Sequence, residues 1–287
     1  MTFVNIFEHK IMADVPTRAL DLATPSTRGN SFITDIAVHF LLDGDPWLPT
    51  AAWVRMLVAL DLPAATARTS LHRMDKGGYL DRASQAGVPG YAMSERWIQF
   101  VRSAQTLPAP DVEAQTRWAL VTFSIPETQR DRRHTLRSLL ERSGMAPLGN
   151  GTWIGPEVVV PALDQILQTA GLRGYVDCFL AENSGFRDDD VALARRCWDL
   201  DTLQREFAAF EADADAQLAR HHMTDEEAFV TVVTMHNSWR RLDTRAPKLP
   251  ARLLPAGGSR PASKAALDRL LTSRLPAARS WVAALRV

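Results

Sequence analysis

Residues 50–92 constrain the fold of this chain more than any other part of the sequence. Two runs typical of helices, residues 50–60 and 64–76, are separated only by Asp61-Leu62-Pro63, and Gly77-Gly78 follows the second run. Pro63, taken as the first helical residue, would lose only an N–H that lacks a partner there anyway. Glycine commonly ends a helix because it adopts left-handed backbone conformations without steric cost. This order predicts a helix-turn-helix.

Two short extended pieces follow the second helix. Residues 79–83 and 90–93 lie on either side of a turn-rich link, residues 84–90, which contains two glycines and a proline. Such a pair directly after a helix-turn-helix is typical of a wing. We therefore expect a winged helix-turn-helix that places its second helix against DNA.

The second helix divides into two faces. Ala67, Leu71 and Met74 recur at helical spacing and form an apolar stripe for the core. The other side carries side chains that donate to phosphate oxygens or base edges, namely Arg68, Thr69, His72, Arg73 and Lys76. With Arg55 on the preceding helix and Arg82 in the wing, these are the predicted DNA-binding residues. The alternative is a small helical hairpin whose outer face is basic by chance.

The bulk composition leaves DNA binding open. Lys and Arg together number 33, as do Asp and Glu, so the net charge is zero. A purely structural DNA-bridging protein would carry net positive charge, whereas a repressor needs only a local basic face. Cys178 and Cys197 lack metal-ligand spacing, and no run of 18 apolar residues is present. We expect a cytoplasmic protein without membrane span, metal, cofactor or catalytic residues.

The chain is predicted to be an α+β protein of several domains. An N-terminal extension (residues 1–29) precedes the winged helix-turn-helix domain (30–106), and a proline-rich linker follows at residues 107–111. A ferredoxin-like α+β domain is expected at 112–186, because strand and helix patterns alternate there. The C-terminal residues 190–287 are predicted to form a helical domain for dimerisation and effector sensing.

Particular elements follow from the periodicity. The middle domain is expected to hold strands at 118–123, 152–154 and 175–180 and helices at 130–143 and 161–170. The C-terminal domain is expected to hold helices at 201–221 and 225–242 and a third region, 264–285, that Pro276 interrupts. Trp118 and Trp153 are assigned to the core of the middle domain.

A second basic region lies on the C-terminal helix that spans residues 225–242. The candidate effector-binding residues there and just beyond are His236, Trp239, Arg240, Arg241 and Arg245. Arginine holds carboxylates and phosphates through paired hydrogen bonds, and an indole can stack on an aromatic acyl group. The alternative is a structural ion-pair patch that faces acids of neighbouring helices.

Several short motifs resemble the PaaX-type family of transcriptional regulators. They are residues 67–74 with Gly78-Tyr-Leu80, residues 118–127, Gly151-Thr-Trp-Ile-Gly-Pro156, Trp198-Asp-Leu-Asp201, and His236-Asn-Ser-Trp-Arg-Arg241 with residues 245–250. The resemblance implies a homodimeric repressor of an aromatic catabolic operon that binds double-stranded operator DNA. It also implies release from DNA by a small-molecule effector, an aromatic acid or its CoA thioester.

An enzymatic alternative starts from the middle domain. A ferredoxin-like domain with this strand order resembles the fold of the CRISPR-adaptation nucleases, which need a carboxylate at the end of the first strand to hold a divalent cation. Here that strand runs into Ser124-Ile-Pro126, and Glu127 comes only after the proline. The acidic ligands are therefore missing where a nuclease needs them. A metal-dependent nuclease is the second hypothesis.

Overall fold

The computed structural model describes residues 27–106 and 111–286. The predicted N-terminal extension up to residue 26 and the predicted linker at 107–110 lie outside the described residues. The expected mixture of helices and sheets is confirmed, with one three-stranded and one four-stranded sheet in the described part of the chain.

The described elements follow in chain order. They are α1 (Arg28–Phe40), β1 (Trp47–Pro49), α2 (Thr50–Ala59), α3 (Ala64–Lys76), β2 (Leu80–Gln85), β3 (Val88–Met93), α4 (Glu95–Thr106), β4 (Trp118–Phe123), α5 (Arg130–Arg142), β5 (Ala146–Gly149), β6 (Thr152–Pro156), α6 (Val160–Thr169), β7 (Val176–Ala181), α7 (Asp190–Cys197), α8 (Leu200–Ala219), α9 (Asp225–Arg245) and α10 (Arg260–Ala284). Short 3₁₀ segments precede several helices.

These elements separate into two compact units. The N-terminal unit contains the described residues 27–106, 208–240 and 260–286. The central unit contains residues 111–207 and 241–259. The boundaries between the two sets of residues fall within α8 and α9, so each of these helices supplies residues to both units.

In the N-terminal unit, β1, β3 and β2 form an antiparallel sheet with β3 in the middle. The link between β2 and β3 is shorter than predicted, because the two strands pair as far as Gln85 and Val88. Ala86 and Gly87, with φ of 50° and 81°, form a two-residue turn of the kind that matches the twist of a hairpin. The prediction missed β1, which has only three residues.

Gly90 is required where β1 meets β3. A Cβ atom at this position would lie 2.3 Å from the carbonyl oxygen of Leu48 and 2.6 Å from the indole of Trp47. Trp47 therefore lies directly over the hairpin backbone, where its Nε1 donates to the carbonyl of Ala83 at 3.3 Å.

The start of α3 differs slightly from the prediction. Pro63 is the N-cap and not the first helical residue, since its ψ of 140° is extended. Its carbonyl accepts the first helical hydrogen bond from the amide of Ala67 at 2.9 Å. The helix itself covers the predicted residues 64–76 and ends before Gly78, whose φ is +74°.

In the central unit, an antiparallel sheet has the strand order β5-β6-β4-β7, and its elements follow one another as β-α-β-β-α-β. The prediction missed β5, which is short, contains Pro147 and has an irregular register before Gly149. Leucines of α5 and α6 are buried, namely Leu136, Leu139, Leu140, Leu163 and Leu167. Trp118 and Trp153 are buried, as expected for core residues.

The last helix also departs from the prediction. We expected Pro276 to break residues 264–285, but α10 continues through it from Arg260 to Ala284. Buried residues on both sides of the proline, Leu270 and Ala278, pack the helix into the N-terminal unit. In the described part of the chain, no helix is long and apolar enough to cross a membrane.

Candidate nucleic-acid interface

Helix α3 presents a polar face to solvent and an apolar face to the core. Ala67, Leu71 and Met74 are buried as predicted, and Ser70 joins them. The five predicted DNA-binding residues of this helix, Arg68, Thr69, His72, Arg73 and Lys76, are all exposed. Within residues 27–106 and 111–286, Arg68, Arg73 and Lys76 make no ion pair. Their positive charge therefore remains available to an anion.

Arg82 links strand β2 to α3. Its Nε lies 3.0 Å from Oδ2 of Asp75, and its Nη2 lies 2.8 Å from Nδ1 of His72. Its guanidinium carbon also lies 6.0 Å from the centre of the Tyr91 ring. Arg82 thereby fixes β2 against the second half of α3. Its charge is partly neutralised by Asp75.

Arg55 differs from the cations of α3. It is exposed on α2, but its Nη2 lies 2.9 Å from Oε2 of Glu226 at the start of α9. An exposed pair of this kind contributes little to stability. The charge of Arg55 is partly neutralised by Glu226, unlike that of Arg68, Arg73 or Lys76 within the described residues.

The basic region of α9 is divided between the two units. His236, Trp239 and Arg240 are buried in the N-terminal unit, whereas Arg241 and Arg245 are exposed in the central unit. Trp239 is 1% exposed and packs on Phe210 with ring centres 5.9 Å apart. Arg245 pairs with Glu206. Three of the five predicted effector residues are therefore buried and two are exposed.

Two of these residues hold a buried carboxylate on α1. Asp35 is 0% exposed, and its Oδ1 lies 2.8 Å from Nδ1 of His236 and 3.3 Å from Nε of Arg240. Asn237 donates from Nδ2 to Oδ2 of Asp35 at 2.7 Å. Ser31, one helical turn earlier on α1, accepts through its hydroxyl from both Asn237 and Arg240. We call this group, Ser31, Asp35, His236, Asn237 and Arg240, the Asp35 clamp.

The clamp keeps Asp35 ionised in spite of its burial. Burial alone would raise the pKa of the carboxyl, but the nearby Arg240 guanidinium and the hydrogen bonds from His236 and Asn237 hold that pKa below its usual value. Beside the clamp, burial lowers the pKa of His39 to about 3, and the neighbouring His236 adds to the effect. The two imidazole centres are 4.3 Å apart.

Asp35, Ser31 and Asn237 were not predicted as site residues. The signal available was an acid within the apolar stripe of α1, between Ile33 and Ile36. An acid there must find a buried partner, because an isolated buried carboxylate is too costly. The partners lie more than 200 positions away, where the sequence pattern does not indicate them.

The central unit contains two open cavities. One, of about 540 Å³, lies between α6 and β7 and is lined by residues such as Leu163, Arg173 and Cys178. The other, of about 440 Å³, has Leu120, Ile154 and Phe186 in its lining. Neither is lined by any of the five predicted effector residues, whose role therefore stays a prediction.

The end of β4 bears on the nuclease hypothesis. The strand ends at Phe123, and Glu127 begins a 3₁₀ turn after Pro126. Oε2 of Glu127 lies 2.8 Å from Nη1 of Arg133, so this carboxylate already has a cationic partner. In the described residues, no group of three or more His, Cys, Asp or Glu side chains is arranged to hold a metal ion.

Comparisons with known proteins point to one family. The family model described as the PaaX protein central Cas2-like domain matches residues 111–193, and that of the PaaX-like protein C-terminal domain matches residues 198–284. The transcriptional repressor PaaX of Escherichia coli (strain K12) is 23% identical over 222 residues, which are 74% of this chain and 69% of that protein.

A solved structure shares the fold. The uncharacterized protein Rv0674 from Mycobacterium tuberculosis superimposes with a TM-score of 0.59 at 21% identity. The match covers 88% of this chain and 98% of that one. At this level of identity the likeness concerns the fold alone.

Proposed function

Because the chain belongs to the PaaX-type family of transcriptional regulators, we propose that it is a DNA-binding repressor of an aromatic-compound catabolic operon. The single observation that carries this proposal is the exposed face of α3, where Arg68, Arg73 and Lys76 lie together without acidic partners among the described residues. The name of the Escherichia coli relative supports the same role.

We interpret residues 30–106 as a winged helix-turn-helix with α3 as its recognition helix. The order of α2, a short turn, α3 and the β2–β3 hairpin supports this interpretation. Arg68, Thr69, His72 and Arg73 would read base edges in the major groove, while Lys76 and Arg82 would contact phosphates. The β-α-β-β-α-β order of residues 112–186 agrees with a ferredoxin-like domain.

In a homodimer, two copies of α3 would contact half-sites about one turn of DNA apart. An aromatic acid or its CoA thioester would favour a conformer whose two recognition helices no longer match that spacing, and the protein would leave its operator.

Substitution of Arg241 is the best test of the predicted effector site, because Arg241 is exposed whereas His236 and Arg240 are buried. A thermal-shift screen of aromatic acids and their CoA thioesters would identify the ligand.

The DNA-binding role can be tested with Arg68→Ala and Arg73→Ala. Each is expected to weaken operator binding by about 1–3 kcal/mol if it removes a base contact, or to lower the salt dependence if the contact is to phosphate. The operator would be selected by the wild-type protein from a pool of randomised duplexes, and affinities measured by gel shift at several salt concentrations.

Arg195→Ala is the matched control, because Arg195 is an exposed arginine on α7 in the central unit. It should leave affinity and sequence preference unchanged. Equal affinity of the Arg68 and Arg73 variants and the wild type would contradict the assignment of α3 as recognition helix. If the wild-type protein selects no sequence, the repressor proposal itself fails.

A further inference from the structure

Helix α1 makes tight contacts on two sides within the N-terminal unit. On one side it packs against α3. A Cβ atom at Gly29, in the first turn of α1, would lie 2.2 Å from Oγ of Ser70 and 3.0 Å from Cδ2 of Leu62. Ser70 is buried on α3, directly after the exposed Thr69. The backbone of α1 at Gly29 therefore packs directly on the Ser70 side chain of the proposed recognition helix, with no room for a side chain from α1.

On its other side, the same turn of α1 contacts α9. Ser31, two residues after Gly29, accepts hydrogen bonds from Asn237 and Arg240 through its hydroxyl oxygen. One turn further on, the Asp35 carboxylate contacts His236, Asn237 and Arg240. These contacts fix the position of α1 along its axis and its rotation, because a carboxylate held by three partners tolerates little displacement.

Ring contacts between α1 and α9 are less directional than the clamp. Phe40 packs on Phe229 with ring centres 5.4 Å apart, and His39 meets His236 edge to face. Apolar contacts of this kind supply stability, but helices can slide or rotate on them with modest loss. The charged clamp is therefore the part that selects one arrangement of α1.

From these contacts we infer that Asp35 is a positioning residue for DNA binding. The clamp holds α1 in register on α9, and α1 in turn holds α3 through the Gly29–Ser70 contact. Asp35 contacts no DNA; it acts by fixing the orientation of the helix that does. This inference rests on the proposed function, because it requires α3 to be the recognition helix.

The inference is tested by the ratio of two affinities, one for a duplex selected by the wild-type protein and one for a random duplex of equal length. Asp35→Asn keeps the shape of the side chain and removes its charge. Ser31→Ala is a milder variant that removes only the shared hydroxyl. Both should weaken binding to the selected duplex by roughly ten-fold for each base contact that is misplaced. Binding to the random duplex, which depends on charge alone, should stay unchanged.

Val282→Ala is the matched control. Val282 is buried on α10 in the same unit and lies outside the clamp, so its truncation lowers stability without touching Asp35. All affinities would be measured well below the melting temperature of each variant, with circular dichroism to verify folding. If Asp35→Asn does not fold, Ser31→Ala still decides the outcome.

The outcomes distinguish a positioning role of Asp35 from a purely stabilising one. A lower affinity ratio for Ser31→Ala, with the ratio of Val282→Ala unchanged, supports a positioning role. Unchanged ratios for the clamp variants, or an equal change in the control, would show that Asp35 only stabilises the fold and would overturn the inference. Failure of the wild-type protein to select any duplex is a different result, because it removes the proposed function on which the inference depends.

Discussion

Helix α3 and the C-terminal part of α9, residues 236–245, both carry more basic than acidic residues, yet the structure uses their cations in different ways. On α3, Arg68, Arg73 and Lys76 are exposed and without acidic partners in the described part of the chain. On α9, His236 and Arg240 point inward and hold a carboxylate that is 0% exposed. The number of arginines on a helix therefore says little about whether they can bind a ligand. The location of the nearest acid decides it.

The largest effect that the comparison predicts is on stability. Arg240→Ala would leave Asp35 buried with its strongest cationic partner removed, and should lower the free energy of unfolding by about 3–5 kcal/mol. Arg241→Ala, one residue later and exposed, should change it by no more than about 0.5 kcal/mol. Urea unfolding followed by circular dichroism measures both. Similar losses for the two variants would mean that burial does not distinguish these arginines.

An intermediate effect is expected from pH. His39 takes up a proton only near pH 3 when folded, but near 6.5 when unfolded. Between these values the unfolded state binds more protons, so stability should fall as the pH falls, with a slope of about 1.4 kcal/mol per pH unit from this group. The lowered pKa of Asp35 adds no loss until the pH falls below its usual value of 3.8.

His39→Leu should remove that part of the slope, whereas His222→Gln, at an exposed histidine, should not. Urea unfolding at pH values between about 4.5 and 6.5 gives the comparison. Parallel curves for the wild type and His39→Leu would contradict the assignment of a neutral His39 imidazole in the folded protein.

The smallest effect is expected at the surface pair of Arg82 and Asp75, which links β2 to α3. Arg82→Ala breaks the contacts to Asp75 and His72, but the Arg82 side chain is 60% exposed. Pairs of this kind contribute about 0–1 kcal/mol because water and salt screen them. Thermal unfolding should therefore show a small shift that vanishes at high salt. A loss as large as that of Arg240→Ala would remove the distinction between the two regions.

The elements defined by local patterns could be predicted well. Helix α3 covers the predicted residues 64–76, because its apolar stripe and its terminal glycines are local signals. The strands β1 and β5 were missed. Each has at most four residues, and β5 contains Pro147, so neither produces a pattern of its own. Both exist because a longer neighbouring strand pairs with them.

The site was harder to predict than the fold. The sequence indicates which residues of α3 face away from its apolar stripe, and the structure places all five at the surface. It could not indicate that His236 and Arg240 are already paired within the protein, because their partners on α1 precede them by more than 200 residues. Periodicity reports which face of a helix is buried, but not which distant side chain meets it.

The sequence distance across the Asp35 clamp also has a consequence for biosynthesis. His236 follows Asp35 by 201 positions, and Arg240 follows Ser31 by 209. During translation, α1 leaves the ribosome long before α9, and until then its carboxylate has none of these partners. The N-terminal unit can reach its final packing only when nearly the whole chain has been made. A prematurely terminated chain would contain every residue of α3 but lack the clamp that secures α1 beside it.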